Sequence, residues 1–207
     1  MDDKIETIKK WLGTGSINIF GLPMSGKDTQ GLKLAEALNA KFLSSGIIIR
    51  AMEKESQKSY SDSGALIPTN VFYKWVLPYF ERRDLFKYPL ILSSIGRWSG
   101  EETEVMSIAA GAGHAIKAVI NLHISESEAK KRFENAKTLN DRGDRADDKD
   151  PKIFATRLKE FREKTLPVLE HYETLNLLIK VNGEQSREEV FNEIIEKLAS
   201  KASGSLS

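Results

Sequence analysis

Cysteine is missing from this chain, which excludes disulfides and any thiolate metal site, zinc included. An excess of either charge is missing too: 31 Lys and Arg stand against 30 Asp and Glu in 207 residues, a net charge of +1. That balance gives no reason to expect nucleic acid or a membrane surface as a partner. No apolar run approaches membrane-spanning length, and the N-terminus is too acidic for a signal peptide, so a cytoplasmic protein is expected. Histidine is scarce: His114, His123 and His171 show no metal-ligand spacing, which leaves them structural or surface roles. Gly111-Ala112-Gly113 is too little for a dinucleotide fingerprint. No internal repeat stands out, and the length suits one domain over 1–207 with a sizeable core.

Short apolar runs alternate with amphipathic stretches. Ile5, Ile8, Trp11 and Leu12 fall at helical spacing, ended by Gly13 and Gly15. Strands are predicted at 17–20, 89–93, 118–124 and 177–181, with His123 in a buried one. Helices are predicted from the first glycine-rich loop to about Asn39, from Arg50, over 69–86 with a bend at Pro78, over 101–111 and over 126–136. Asp150 reads as an N-cap with Pro151 at the first helical position, opening a helix to about Tyr172 that kinks at Pro167. A last helix covers 186–200, residues 41–46 read as a short polar link, and the tail 202–207 is expected to fray. Strands alternating with helices imply an α/β fold, a parallel sheet with helices on both faces. Ligands then belong at the carboxyl ends of the strands.

One stretch organises the rest. Gly21-Leu22-Pro23-Met24-Ser25-Gly26-Lys27-Asp28-Thr29-Gln30 follows the apolar run Ile17-Asn18-Ile19-Phe20 and leads into a helix. The spacing Gly-x4-Gly-Lys between a strand and a helix is that of a P-loop. Backbone N–H groups and the helix N-terminus face a phosphate, and Lys27 supplies a point charge. Only the usual hydroxyl is displaced, because Asp28 follows the lysine and Thr29 comes one position later.

Arginines recur where predicted elements end: Arg50, Arg97, Arg132, Arg142, Arg145 and Arg157. Transfer of a phosphoryl group between nucleotides needs fixed cations around the moving charge, and guanidinium groups meet phosphate in a bidentate fashion. With these motifs the sequence resembles the adenylate kinase branch of the nucleoside monophosphate kinases. The family's Gly-x-Pro-Gly-x-Gly-Lys-Gly-Thr-Gln is kept at 21–30 except at Met24 and Asp28. Its Ser-Gly-Asp-Leu-Leu-Arg corresponds to Ser45-Gly46-Ile47-Ile48-Ile49-Arg50, and its Gly-x-x-Val/Ile-Pro to Gly64-Ala65-Leu66-Ile67-Pro68. Its Gly-Phe-Pro-Arg loop is reduced to Ser94-Ile95-Gly96-Arg97, while its Arg-x-Asp-Asp is intact at Arg145-Ala146-Asp147-Asp148, followed by Arg157-Leu158. Val181-Asn182-Gly183 is similar to the loop against which the ATP adenine rests.

The resemblance implies a P-loop NTPase-type sheet with a helical flap for the acceptor monophosphate (44–75) and a short lid (133–145), on a core of 1–43, 76–132 and 146–207. It implies ATP and magnesium, a monomer, and ATP and AMP as the bound nucleotides. Gly21, Pro23, Met24, Ser25, Gly26, Lys27, Asp28, Thr29 and Arg132 would hold ATP. Ser45, Gly46, Arg50, Ile67, Arg97 and Glu101 would surround AMP. Lys27, Arg97, Arg132, Arg145 and Arg157 would serve the transfer itself.

Two departures bear on activity. The carboxylates that organise magnesium waters in the family are replaced by Ile47 and Ser93. Asp28 either relocates the lost carboxylate to the metal, or caps the helix or pairs with Lys27. Glu101 stands where the family has a glutamine facing the acceptor base, and an ionised carboxylate only accepts. That suits guanine, whereas Ser45 suits adenine. AMP ranks first as acceptor, ahead of GMP, UMP or CMP, and a nucleotide-binding sensor or scaffold without turnover is the rival from another class.

Overall fold

The computed structural model of the protein describes residues 1–60, 62–139 and 150–205. In chain order these form α1 (Asp2–Leu12), β1 (Ser16–Phe20), α2 (Lys27–Leu38), β2 (Lys41–Ser44), α3 (Ser45–Ser56), α4 (Thr69–Trp75), β3 (Leu90–Ser93) and α5 (Glu101–Gly111). There follow β4 (Ile116–His123), α6 (Glu126–Leu139), α7 (Pro151–Glu160), α8 (Leu166–Thr174), β5 (Leu178–Asn182) and α9 (Arg187–Ser205). A 3₁₀ turn, Leu77–Glu81, follows α4, and a π-helical turn, Phe161–Thr165, joins α7 to α8.

The five strands are parallel, in the order β2-β3-β1-β4-β5. Every residue of β1 is buried, and alternate side chains feed two apolar clusters. Ile17 and Ile19 pack with Ile8, Leu34 and Ile194, while Phe20 packs with Phe80, Val168 and Tyr172 on the other face. A strand covered on both faces reads as a continuous apolar run rather than an alternation, which is why β1 and β3 stand out in the sequence. From β1 the chain moves to one side through β2 and β3, then crosses to the other through β4 and β5. The P-loop leaves the carboxyl end of β1 at this switch, where an open parallel sheet has its crevice.

Several expectations are corrected. Residues 41–44 are the edge strand β2, not a polar link. Four residues with an exposed lysine carry little pattern, and the ladder with β3, from Lys41 opposite Leu90 to Ser44 opposite Ser93, makes the strand. The helix expected from Arg50 begins at Ser45, so Arg50 falls in its second turn. The helix expected over 69–86 stops at Trp75, and the 3₁₀ turn containing Pro78 takes over because proline has no N–H for the α ladder. The irregularity expected at Pro167 lies upstream as the π turn, after which Pro167 enters near the start of α8, where a missing N–H is tolerated. The tail is helical to Ser205, anchored by the fully buried Ala202. His123 ends β4 with its side chain exposed, whereas His114 is buried, its Nδ1 2.8 Å from the Thr14 carbonyl.

Asp150 caps α7 as expected, accepting the N–H of Lys152 at 2.7 Å ahead of Pro151. Phe133 of α6 and Phe154 of α7 stack with ring centroids 4.3 Å apart, which ties together the two helices that flank residues 140–149. Residues 140–145 of the expected lid, with Arg142 and Arg145, lie outside the described residues, as do Asp147 and Asp148 just beyond it.

Candidate active site

The P-loop is held by close contacts that only its own residues permit. A Cβ on Gly21 would fall 2.5 Å from Ser25 Oγ and 2.7 Å from the Leu122 carbonyl. Gly26, at φ 88°, is the N-cap of α2 and contributes no side-chain cap. Met24 sits at φ 68°, a left-handed conformation that costs a non-glycine residue about 1–2 kcal/mol. Burial of its side chain in the core and a hydrogen bond from Arg132 Nη1 to its carbonyl, at 3.4 Å, offset that strain. The Ser25 hydroxyl is buried with no partner among the described residues, so the cradle presents a polar side chain as well as backbone N–H groups.

A cleft of about 580 Å³ opens over this loop. It brings together Gly21, Pro23, Met24, Gly26, Lys27, Asp28 and Thr29 on one wall with Ser45, Gly46, Arg50, Ile67, Arg97, Glu101 and Arg157 on the others. The three arginines come from α3, from the loop after β3, and from α7. Arg187, the first residue of α9, also lines the cleft.

Arg97 is carried on a loop that two carboxylates pull taut. Glu101 Oε2 accepts the N–H groups of Arg97 and Trp98 at 3.0 and 3.1 Å, and its Oε1 accepts the Thr69 hydroxyl at 2.8 Å. Glu102 accepts the N–H of Gly100 at 2.7 Å and lies 2.8 Å from His171 Nδ1. Asn18 clamps the other end of the loop, donating to the Ile95 carbonyl at 2.7 Å. Burial, and then the neighbouring Arg157 cation, bring Arg97 down to about 10, opposed by Glu160 and Glu101. A buried guanidinium with a second cation beside it makes a site that gains when a phosphate dianion enters. Burial pushes Glu101 above the usual carboxylate range, and its hydrogen bonds oppose this.

The expected flap residues Ser45, Gly64 and Leu66 each meet the rest of the chain closely. Ser45 Oγ donates to the Ser94 carbonyl at 2.8 Å. A Cβ on Gly64, which has φ +77°, would meet the Ile153 carbonyl at 2.6 Å. The N–H of Leu66 donates to Glu160 Oε2 at 2.9 Å, and Lys164 Nζ donates to the same carboxylate at 2.7 Å. Lys164 also lies over the Trp98 ring, 3.9 Å from its centroid. Trp98 therefore packs where the loop after β3 meets the π turn that joins α7 to α8, while Trp75 is core, edge-on to Tyr60.

Arg132 stands behind the P-loop rather than in the cleft wall. Besides Met24, it donates to Glu128 Oε1 and the Gly183 carbonyl, both at 2.8 Å, and so locks the P-loop to the 181–183 turn. A capping box opens α9: Ser186 N–H donates to Glu189 and Glu189 N–H donates to Ser186 Oγ, at 3.0 and 3.3 Å. The Arg187 carbonyl accepts from Gln30 Nε2 at 2.9 Å, which packs the start of α9 on α2. On the P-loop itself, Ser93 Oγ donates to Asp28 Oδ1 at 2.5 Å. Among the described residues no group of three or more His, Cys, Asp or Glu is placed to hold a metal, and no helix is long and apolar enough to cross a membrane.

A phosphate cradle facing arginines from separate elements across one cleft suits phosphoryl transfer, where the protein's work is positioning and charge stabilisation. The class is that of the P-loop phosphotransferases. The chain overlays on a gluconokinase from Sinorhizobium meliloti 1021 with a TM-score of 0.62, covering 92% of this chain and 95% of that one at 19% identity, a likeness of fold. Within the class, residues 19–177 match the adenylate kinase family, and the chain belongs to that family. It is 33% identical to an adenylate kinase of Bartonella bacilliformis, over 81% of this chain and 91% of that protein. It is 31% identical to adenylate kinase 1 of Nostoc sp., over 87% and 96%. The protein is an ATP-dependent nucleoside monophosphate kinase.

Proposed function

We propose that the protein transfers the terminal phosphoryl group of MgATP to AMP, reversibly and in line, giving two ADP. The observation that carries this reading is the single cleft with Lys27 and the P-loop on one wall and Arg50, Arg97 and Arg157 on the others. A triphosphate site alone has no use for that many cations on the far side. In this reading Lys27 and the loop N–H groups hold the ATP phosphates, with Arg132 bracing the loop. Arg50 and Arg97 hold the acceptor phosphate. Arg97, Arg157 and Arg145 of the lid match the charge on the moving group. Ser45, Gly46, Ile67 and Glu101 surround the acceptor base. The docked flap excludes water, which otherwise competes as nucleophile. The protein acts as a cytoplasmic monomer with nucleotides as its partners.

GMP as acceptor is a second reading, favoured by one observation. The Ser45 hydroxyl spends its proton on the Ser94 carbonyl, and Glu101 is a carboxylate, so both side chains offer acceptors to the base. Guanine presents donors at N1 and N2, whereas adenine brings a lone pair at N1. Initial rates of ADP formation from ATP with AMP, GMP, UMP and CMP, with and without magnesium, test both readings. The highest kcat/KM is expected with AMP, and a higher value with GMP would select the second reading. Protein that binds ATP yet turns over no acceptor would be a sensor or scaffold.

A further inference from the structure

At a P-loop, magnesium is ordinarily met by a hydroxyl on the residue after the lysine and by a carboxylate at the end of a neighbouring strand. Here the two chemistries sit at opposite ends. Asp28 follows Lys27 in the first turn of α2, and Ser93 closes β3. β3 lies beside β1, with Ser93 opposite Ile19, so the strand end faces the root of the P-loop. Ser93 is 1% exposed, both residues line the cleft, and the Ser93 hydroxyl donates to Asp28 Oδ1 at 2.5 Å. A hydroxyl–carboxylate hydrogen bond is indifferent to which chain segment supplies which partner.

The donor set fits the ion. Magnesium takes oxygen ligands and is usually bound through one or two carboxylates together with substrate phosphates and waters. The half-exposed Ile47 offers no such oxygen. A carboxylate beside a phosphate cradle is otherwise a liability, because it repels the polyphosphate that Lys27 attracts. A cation bound between the two turns that repulsion into binding. A role for Asp28 confined to the helix terminus would draw on the dipole of α2 and would have no need of Ser93.

We propose that Asp28 and Ser93 are the magnesium pair with its ends exchanged: Asp28 supplies the carboxylate for the ATP-bound ion, and Ser93 is the positioning residue that orients it. The inference rests on the nucleotide-kinase reading above. Its consequence is that metal-bound and metal-free ATP respond to Asp28 with opposite sign.

The test is Mn²⁺ affinity of the protein–ATP complex, followed by electron paramagnetic resonance, beside ATP affinity in excess chelator. In Asp28→Ser, Mn²⁺ affinity is expected to fall at least tenfold while chelated ATP binds as tightly as before or more tightly. Ser93→Ala keeps the carboxylate and loses its donor, and a fall of at least threefold in Mn²⁺ affinity is expected. The exchanged variant, Asp28→Ser with Ser93→Asp, is expected to return to within threefold of the parent. Mn²⁺ affinity unchanged within twofold in Asp28→Ser, or an exchanged variant no better than Asp28→Ser alone, overturns the proposal. So does weaker binding of chelated ATP, the mark of a merely structural role. Asp28→Asn, of the same shape, replaces Asp28→Ser if that variant does not fold. Parent protein that fails to bind ATP at all would sink the kinase reading instead, so the two failures are distinguishable.

Discussion

Glu101 is tied to Arg97 through the backbone: its carboxylate accepts the Arg97 N–H at 3.0 Å while its charge faces the same residue's guanidinium. Glu101 is 4% exposed, and its carboxylate takes two further donors, Trp98 N–H and the Thr69 hydroxyl. Removing it strands those donors, and each buried group left unpaired costs about 1–3 kcal/mol. Glu101→Ala should therefore lower the melting temperature and raise KM for the acceptor about tenfold or more, a loss of about 1.4 kcal/mol in binding. KM for ATP should stay within about twofold, because the donor wall is built on α2 and not on this loop. An unchanged acceptor KM in steady-state kinetics would refute this role.

Gly64 tests whether docking of the flap matters. A Cβ there would lie 2.6 Å from the Ile153 carbonyl and 2.9 Å from its Cγ2, at a φ of +77°. The carbonyl belongs to α7 and cannot swing aside, and the backbone conformation alone costs about 1–3 kcal/mol for a non-glycine residue. Gly64→Ala should lift the flap loop off α7, raising acceptor KM and lowering kcat, with ATP binding in the absence of acceptor unaffected. Equal kinetics for parent and variant would mean that the flap works without this contact.

What the sequence discloses depends on how local each requirement is. The P-loop is legible because Gly21, Gly26 and Lys27 act within one strand–loop–helix unit, and their spacing is the mechanism. Arg50, Arg97 and Arg157 arrive from three elements far apart in the chain, and only the resemblance to a family puts them in one cleft. Glu101 reads as a residue facing the acceptor base. That its carboxylate also accepts the loop's own N–H groups depends on how residues 94–100 curl back, which no spacing encodes. Glu160 and Arg187 leave no signal at all, since an acidic residue in a helix and an arginine at a helix start look like solvated charge. β2 escapes notice because four residues cannot display a period, and the π turn, whose Thr165 donates to the Arg97 carbonyl at 3.2 Å, because its residues 161–165 carry no proline or glycine to mark it.

Arg187 lines the cleft from the exposed first turn of α9, on the side of the P-loop. A carboxylate at that position suits the helix dipole, by about 0.3–1 kcal/mol at an exposed site, so Arg187→Glu should fold at least as stably as the parent. It should nevertheless raise KM for ATP, by about threefold to tenfold at low salt, with the difference shrinking as salt screens an exposed charge over about 10 Å. Acceptor KM should move little. Equal ATP kinetics at low salt would remove Arg187 from the donor site.

Glu160 offers a prediction with a definite sign in pH. Burial by itself raises its carboxyl, but the hydrogen bonds from Lys164 and the Leu66 N–H, with the charges of Lys164 and Arg97, carry it below the usual range. A carboxyl depressed in the folded state contributes stability that is complete above its unfolded pKa and is lost as pH falls through its folded one. Glu160→Gln should thus be less stable than the parent at neutral pH, by about 1–3 kcal/mol for a hydrogen-bonded charge. The gap should narrow as pH drops below about 4, where carboxyls of ordinary pKa protonate. The flap should loosen with it: amide exchange at Leu66, whose N–H is held by the carboxylate at 2.9 Å, should quicken in the variant. Urea unfolding at several pH values, with hydrogen exchange at neutral pH, measures both. A stability gap that stays constant from neutral to acid would show that the charge of Glu160 is not what holds the flap.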